Sequence, residues 1–99
     1  MTYIQYVHTI NGEVIRKAES NYNKHGVRFS ECLPVFQDDY AITVIDEESE
    51  PSETRFVTIG IGVKGRVLVV VYTCRGDNIR IISSRLAEPH ERTQYEERR

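Results

Sequence analysis

Residues 55–87, RFVTIGIGVKGRVLVVVYTCRGDNIRIISSRLA, decide the fold of this 99-residue chain. Three runs rich in β-branched residues are separated by Lys64-Gly65 and by Gly76-Asp77-Asn78, which are typical turn sequences between antiparallel strands. They predict strands over residues 55–62, 66–73 and 79–83. Residues 67–72 are apolar at every position, which predicts a central strand with both faces covered.

The flanking segments predict helices and two further strands. Residues 2–9 and 41–45 have strand character, and from Glu13 apolar residues recur at helical spacing until Gly26, a glycine suited to a helix C-terminus. Ser30 is a predicted N-cap for a short helix over 31–36, and Pro89 suits the first turn of a final helix. The sequence therefore predicts one α+β domain over residues 1–99. It consists of an N-terminal strand and two helices, a four-stranded antiparallel sheet and a C-terminal helix, with the helices on one face of the sheet.

Composition limits the class of protein. Apolar residues make up 39% and charged residues 28% of the chain, which is ordinary globular usage and argues against a disordered protein. The longest apolar run, residues 67–72, is far shorter than the ~20 residues of a membrane span, and we see no secretory signal. Cys32 and Cys74 match no metal-ligand spacing and are predicted to be buried, so we expect a reducing, cytoplasmic setting without membrane contact.

The charge distribution is uneven. The formal net charge is −2, but residues 54–86 hold six basic residues against one aspartate, a local charge of +5. Five acidic residues lie between positions 46 and 53, which we interpret as a solvated loop. A basic sheet region of this kind is suited to a polyanion such as nucleic acid.

Lys24 and His25 form the first candidate site and have two interpretations. Near a helix C-terminus, Lys and His complement the helix dipole and bind free carbonyl groups, with Gly26 as the cap. Alternatively, a cation beside an imidazole is suited to phosphodiester cleavage, because one group stabilises negative charge and the other moves a proton.

The strand arginines Arg55, Arg75, Arg80 and Arg85 form the second candidate site. Each of them could simply point to solvent or pair with a nearby carboxylate. Several arginines on one face would instead form a phosphate-binding surface. Strand alternation places Arg80 and Arg85 on opposite faces unless the strand ends or bulges between them, for which we favour Ser84, so Arg85 ranks above Arg80.

The tyrosines and histidines predict few further functional sites. Tyr95 and Tyr72 could stack on bases, although Tyr72 suits the core better. His8, His25 and His90 are scattered along the chain, so we expect no metal site and no other cofactor.

The motifs resemble those of the BrnT toxin family. The most specific blocks are KHGVxF at residues 24–29, RIISxRxA at 80–87 and ERxxYE at 91–96, and the likeness spans about residues 13–97. The resemblance implies a fold like that of RelE-type ribonuclease toxins. It also implies metal-independent cleavage of mRNA that inhibits translation, and neutralisation by a BrnA-type ribbon-helix-helix antitoxin. The toxin and antitoxin would form a heterotetramer that reaches operator DNA only through the antitoxin.

By this resemblance the candidate site residues acquire roles. The implied catalytic residues are Lys24, His25, Arg55, Arg85 and Tyr95, and the implied RNA-binding residues are Arg75, Arg80 and Arg92. The chain departs from the family at the first helix, where many members carry Trp-Asp and this chain has Glu13-Val14 and no tryptophan. That departure favours the alternative that the protein keeps the toxin fold but only binds an antitoxin-like partner or nucleic acid.

Overall fold

The computed structural model describes residues 3–4, 13–48, 53–75 and 78–99. These residues form five strands, two α-helices and one 3₁₀ helix. The strands are β1 (Tyr3–Ile4), β2 (Ile42–Ile45), β3 (Arg55–Ile61), β4 (Val67–Arg75) and β5 (Asn78–Leu86). The helices are α1 (Glu13–His25), the 3₁₀ helix (Phe29–Gln37) and α2 (Pro89–Glu97).

The strands form one sheet in the order β1-β5-β4-β3-β2. Strands β2 to β5 pair antiparallel, as the glycine turns predict, and Gly65 has the positive φ of 74° that favours glycine in the β3–β4 turn. The α+β prediction is confirmed. Strand β1 pairs parallel with β5, and the rest of the strand predicted over 2–9 lies outside the described residues.

Helix α1 and the 3₁₀ helix cover one face of the sheet, which we call the helical face. Its core contains Leu68, Val70, Tyr72, Ile79 and Ile81 from the strands, packed against residues of the 3₁₀ helix and its entry segment. Two glycines of this face let the 3₁₀ helix approach closely. A Cβ at position 60 would lie 3.0 Å from the Val35 side chain, and one at position 62 would lie 2.7 Å from the Glu31 carbonyl oxygen.

Helix α2 crosses one end of the opposite face of the sheet. Its Tyr95 packs with Ile59 and Val69 of the sheet and with Ala87 just before the helix. The helix begins beside the end of β5 and ends near β2, where the Arg98 guanidinium donates to the Tyr40 carbonyl oxygen at 3.1 Å. The helices therefore lie on both faces, and the prediction that they share one face is wrong for α2.

Three local predictions differ from the structure. The 3₁₀ helix begins two residues early, with Arg28 instead of Ser30 as its N-cap, because the Glu31 carboxylate accepts a hydrogen bond from the Arg28 N–H at 3.4 Å. Strand β5 extends to Leu86, beyond the predicted end at residue 83. Cys74 is exposed, whereas Cys32 is buried as expected.

Candidate active site

Among the described residues, α2 covers one half of the second face; the other half carries the strand arginines, and we call it the open face. Arg55 pairs with Thr73 across β3 and β4, and Thr73 pairs with Arg80 across β4 and β5. Directly paired residues share a face, so these three side chains form one row across the sheet, which we call the arginine row. Two strand spacings separate the Cα atoms of Arg55 and Arg80 by about 10 Å.

A β-bulge places Arg80 and Arg85 on the same face. The register shifts between Val71 and Tyr72 of β4, so that Ile82 of β5 is the extra residue. The predicted bulge near Ser84 is therefore wrong in position, and the expected separation of the two arginines does not occur. Arg85 lies opposite Val69, four residues along β4 from Thr73, or about 13 Å from the arginine row.

The basic residues of the sheet region fall into two groups: those that form an ion pair with a described carboxylate and those that do not. Arg66 and Lys64 bind the buried Glu31 carboxylate at 2.7 and 3.5 Å. Burial acts to raise the pKa of Glu31, but hydrogen bonds from Arg66 and from the Arg28 backbone outweigh it, so the pKa lies below its usual value. In the described part of the chain, Arg55 and Arg80 form no ion pair. Both residues are half-buried.

Thr73 lies between these two arginines and has an unsatisfied hydroxyl group. The residue is 1% exposed, and its Oγ1 has no hydrogen-bond partner among the described residues. A buried hydroxyl without a partner costs free energy, which most proteins avoid. The next row on the open face is Val57, Val71 and Ser83, all half-buried. Asp46, half-buried and directly after β2, lies opposite Arg55 and so shares this face. The open face therefore combines Arg55 and Arg80, which form no ion pair with the described residues, with mostly uncharged side chains and one carboxylate.

Arg85 is held by a carboxylate. Its two terminal nitrogens donate to the two oxygens of Glu91 in α2, at 2.7 and 3.0 Å. Glu91 also accepts from the Glu88 N–H at 2.8 Å, so the pair joins the end of β5 to the first turn of α2. The bond from Arg85 keeps the pKa of Glu91 below its usual value. Arg85 is thus positioned as an anchor for α2, and its predicted catalytic role stays a prediction.

Replacing Arg85 or Glu91 tests this role. We expect Arg85→Ala and Glu91→Ala each to lower the free energy of unfolding by about 1 kcal/mol, because the Arg85 side chain is 39% exposed and solvent screens the pair. The stabilisation from Glu91 should be present above the ordinary glutamate pKa and disappear as the pH falls below it. Urea unfolding measures the stability of both variants, and an RNA cleavage assay measures their activity. If Arg85→Ala loses far more activity than Glu91→Ala, Arg85 acts on RNA as well as on α2.

Lys24 and His25 lie on the other side of the sheet. They form the last turn of α1, both are exposed, and Gly26 has the positive φ of 67° predicted for a helix cap. The amide group of Asn21, one turn earlier, donates to the carbonyl and hydroxyl oxygens of Ser84 at 2.9 and 3.1 Å. This end of α1 therefore lies beside the last part of β5, but against the helical face.

Tyr95 is a buried residue in this structure. It is 1% exposed, and its hydroxyl donates to Asp38 Oδ2 at 2.6 Å. Burial, followed by the bond to Asp38, raises the pKa of Tyr95 to about 12. Its ring therefore has no surface on which a base could stack. Tyr72 is also in the core, where its ring lies 4.9 Å from Phe36 in an edge-to-face arrangement.

The two remaining predicted RNA contacts lie at the periphery. Arg75 ends β4 and pairs with Asn78 in the sheet register, and its side chain lies outside the described part of the structure. Arg92 is exposed on α2. Neither is in the arginine row.

A family model matches most of the chain. Residues 14–91 match the family described as "Ribonuclease toxin, BrnT, of type II toxin-antitoxin system". The chain belongs to the BrnT family. It is therefore a ribonuclease toxin at the level of its family, and a type II module implies an antitoxin partner.

The fold is also similar to that of a solved BrnT protein. The 1.1 Å crystal structure of the Brucella abortus ribonuclease toxin BrnT matches with a TM-score of 0.57 and 18% sequence identity. The match covers 88% of this chain and 95% of that one. A comparison with curated proteins gives no match.

The BrnT-family chain contains two hydrogen-bonded carboxylates that sequence reasoning missed, the buried Glu31 and the half-buried Asp38. The available signal was that Glu31 and Asp38 flank residues 32–37, which are apolar except for Gln37. Within the described ranges, no group of three or more metal-binding side chains occurs, and no helix is long and apolar enough to cross a membrane.

Proposed function

We propose that this protein is a metal-independent endoribonuclease that cleaves mRNA and so inhibits translation. Its membership of a family named as ribonuclease toxins supports the reaction class. The arginine row supports the place, because Arg55 and Arg80 share the open face and form no ion pair with a described carboxylate. That row is the observation on which the proposal depends.

The proposed reaction is attack of a ribose 2′-OH on the adjacent phosphate. The 2′-oxygen forms a bond to phosphorus, the bond to the 5′-oxygen breaks, and the 2′ proton leaves while the 5′-oxygen gains one. Negative charge grows on the phosphate oxygens, and preorganised donors that act on such charge typically contribute ~10²–10³ in rate. Arg55 and Arg80 would supply them, since guanidinium binds phosphate oxygens in bidentate fashion.

The other predicted residues take different places in the proposal. An RNA strand that leaves the open face over the edge of β5 would pass the end of α1, where Lys24 and His25 are exposed. We assign them contacts to the RNA backbone, and Arg75 and Arg92 similar contacts at the periphery. Arg85 and Tyr95 remain candidates for the chemistry, each to be tested by its own variant.

The proposed partners follow from the family. We propose neutralisation by a BrnA-type ribbon-helix-helix antitoxin, assembly as a heterotetramer and contact with operator DNA through the antitoxin alone. Co-purification of this chain with the product of a neighbouring gene for a ribbon-helix-helix protein, followed by mass measurement in solution, tests both the partner and the stoichiometry.

Cleavage of RNA in EDTA tests the activity. Purified protein incubated with cellular mRNA in excess EDTA is expected to produce fragments ending in a cyclic phosphate, because no bound metal takes part in the proposed step. Loss of cleavage in EDTA, with recovery on adding Mg²⁺, would contradict the metal-independent mechanism.

One observation favours a second candidate function, RNA binding without cleavage. The described residues in the two rows of the open face are arginine, threonine, valine and serine, with Asp46 beside Arg55, and none of these residue types ordinarily titrates near neutral pH. A protein that binds single-stranded RNA through Arg55 and Arg80, but leaves it intact and does not arrest growth on expression, would have this second function.

A further inference from the structure

Strand β2 is a short edge strand whose own residues include no lysine, proline or bulge. It ends the sheet, and all four of its residues, ITVI, are β-branched. Val44 and Ile45 are 55% and 61% exposed. Natural edge strands are commonly blunted by lysine, proline, a bulge or a covering loop, because an open edge pairs readily with another chain. Among the described residues, nothing pairs with the outer side of β2.

The hydrogen-bond pattern identifies the backbone groups that this edge offers. The Asp46 N–H donates to the Arg55 carbonyl oxygen at 2.9 Å, so Asp46 and Arg55 are a hydrogen-bonded pair. Such pairs alternate in antiparallel sheets, so the N–H and C=O groups of Val44 point toward β3. Those of Thr43 and Ile45 consequently point outward. They form a template for one more strand.

The charged residues at the two ends of β2 favour one kind of partner strand. Asp39 precedes β2, and Glu47 and Glu48 follow it, all three exposed. Arg98 lies at the first end, where it donates to the Tyr40 carbonyl oxygen, so the acidic end of β2 is the one that Glu47 and Glu48 follow. A strand with basic residues beside that end would complement these two carboxylates, and a second copy of this chain is the alternative occupant that the experiments below distinguish.

We propose that β2 is the docking edge for an extended segment of the antitoxin, with β-branched or other apolar residues and with lysine or arginine at the end that lies beside Glu47 and Glu48. The inference rests on the toxin–antitoxin part of the proposed function and is independent of RNA cleavage. The segment would add a sixth strand to the sheet, bonded to the outward groups of Thr43 and Ile45 and packed on the exposed Val44 and Ile45 side chains. Val44 lies opposite Val57 and so shares the open face, whereas Ile45 lies opposite Phe56 on the helical face, and the added strand would border the open face at its β2 side.

Amide hydrogen exchange provides a direct test. The probe is the purified ribbon-helix-helix antitoxin encoded beside the toxin gene. In the free toxin, we expect the Thr43 and Ile45 amides to exchange much faster than the Val44 amide, which is bonded to β3. In the complex, the Thr43 and Ile45 amides should become at least tenfold slower. Unchanged exchange at both positions in a saturated complex would overturn the proposal.

Matched variants test the same edge by affinity. Ile45→Lys places a cation against a basic segment, and we expect it to weaken antitoxin binding at least tenfold in calorimetry. Val63→Lys is the control, because Val63 is 64% exposed in the β3–β4 turn, away from β2. It should change the affinity less than twofold. Ile45→Pro, which removes one outward N–H while leaving the β2–β3 bonds intact, should weaken binding similarly, and thermal melting verifies the fold of each variant.

The remaining outcomes separate this inference from the ribonuclease proposal. Ile45→Lys should cleave RNA as the wild type does, yet escape neutralisation by the antitoxin. If both lysine variants bind the antitoxin like the wild type, β2 is not the docking edge. A wild-type dimer that Ile45→Lys converts to a monomer would assign the edge to a second copy and overturn the proposal. Antitoxin binding at β2 without RNA cleavage would refute the ribonuclease proposal alone.

Discussion

The variant Arg55→Ala/Arg80→Ala should lose RNA cleavage by about 10³- to 10⁴-fold, and each single variant by about 100-fold. The two guanidinium groups flank Thr73 on the open face, and neither pairs with a described carboxylate, so both are available to the phosphate that carries the growing charge. Stability should change little, because no described ion pair is broken. Single-turnover cleavage of a defined RNA at saturating enzyme measures the loss.

Salt dependence distinguishes a phosphate contact from an indirect effect. For single-stranded RNA, the logarithm of the affinity falls with the logarithm of salt concentration by about 0.7 for each phosphate neutralised. Each single variant should therefore reduce this slope by about that amount. Arg28→Ala is the matched control, because Arg28 is exposed at the start of the 3₁₀ helix and stacks on Tyr22 at 4.1 Å, away from the open face. A double variant within tenfold of wild-type activity would contradict the arginine row as the active site.

The sequence predicts the sheet well because its signals are local. Glycine turns and β-branched runs lie next to each other in the chain, so the hairpins β3–β4 and β4–β5 can be predicted without knowledge of distant contacts. The glycine cap at Gly26 and the helix start at Pro89 are equally local. These features supply the frame on which the candidate site lies.

The composition of the site depends on contacts that the sequence does not reveal. The bulge at Ile82 has no glycine or other local signal, yet it decides that Arg80 and Arg85 share a face. Arg66 and Glu31 are 35 positions apart, so nothing in the sequence shows that Arg66 is already paired. The sequence therefore does not show which strand arginines form ion pairs. In the structure, the position of each carboxylate decides which of the described arginines is paired.

Asp38 should be among the most important polar residues for stability. Its carboxylate accepts hydrogen bonds from the Tyr95 hydroxyl at 2.6 Å, the Ile61 N–H at 2.9 Å and the Tyr40 N–H at 2.9 Å. It thereby joins the end of the 3₁₀ helix to β3 and α2. We expect Asp38→Ala to lower the free energy of unfolding by about 3 kcal/mol, since it leaves the Tyr95 hydroxyl and the Ile61 N–H without their partner. Asp39→Ala, at the exposed neighbouring position, should cost less than about 0.5 kcal/mol.

Asp38 and Tyr95 change the free energy of unfolding with pH in opposite directions. Burial acts to raise the pKa of Asp38, but the bonds from Tyr95, Ile61 and Tyr40 outweigh it and the pKa is lowered. The stabilisation from Asp38 is therefore fully present above the ordinary aspartate pKa and disappears as the pH falls below it. The pKa of Tyr95 is raised from 10 to about 12, so its contribution is present below pH 10 and disappears between pH 10 and 12.

A double-variant cycle decides between a structural and a catalytic role for the Tyr95 hydroxyl. Tyr95→Phe alone should cost about 1 kcal/mol, because one hydrogen bond to Asp38 is lost. In the Asp38→Ala background the same change should be neutral or stabilising, since it removes a hydroxyl that already lacks its acceptor. Urea unfolding measures both steps. If Tyr95→Phe leaves stability unchanged but abolishes RNA cleavage, the hydroxyl takes part in the reaction, and the burial seen here must be relieved when RNA binds.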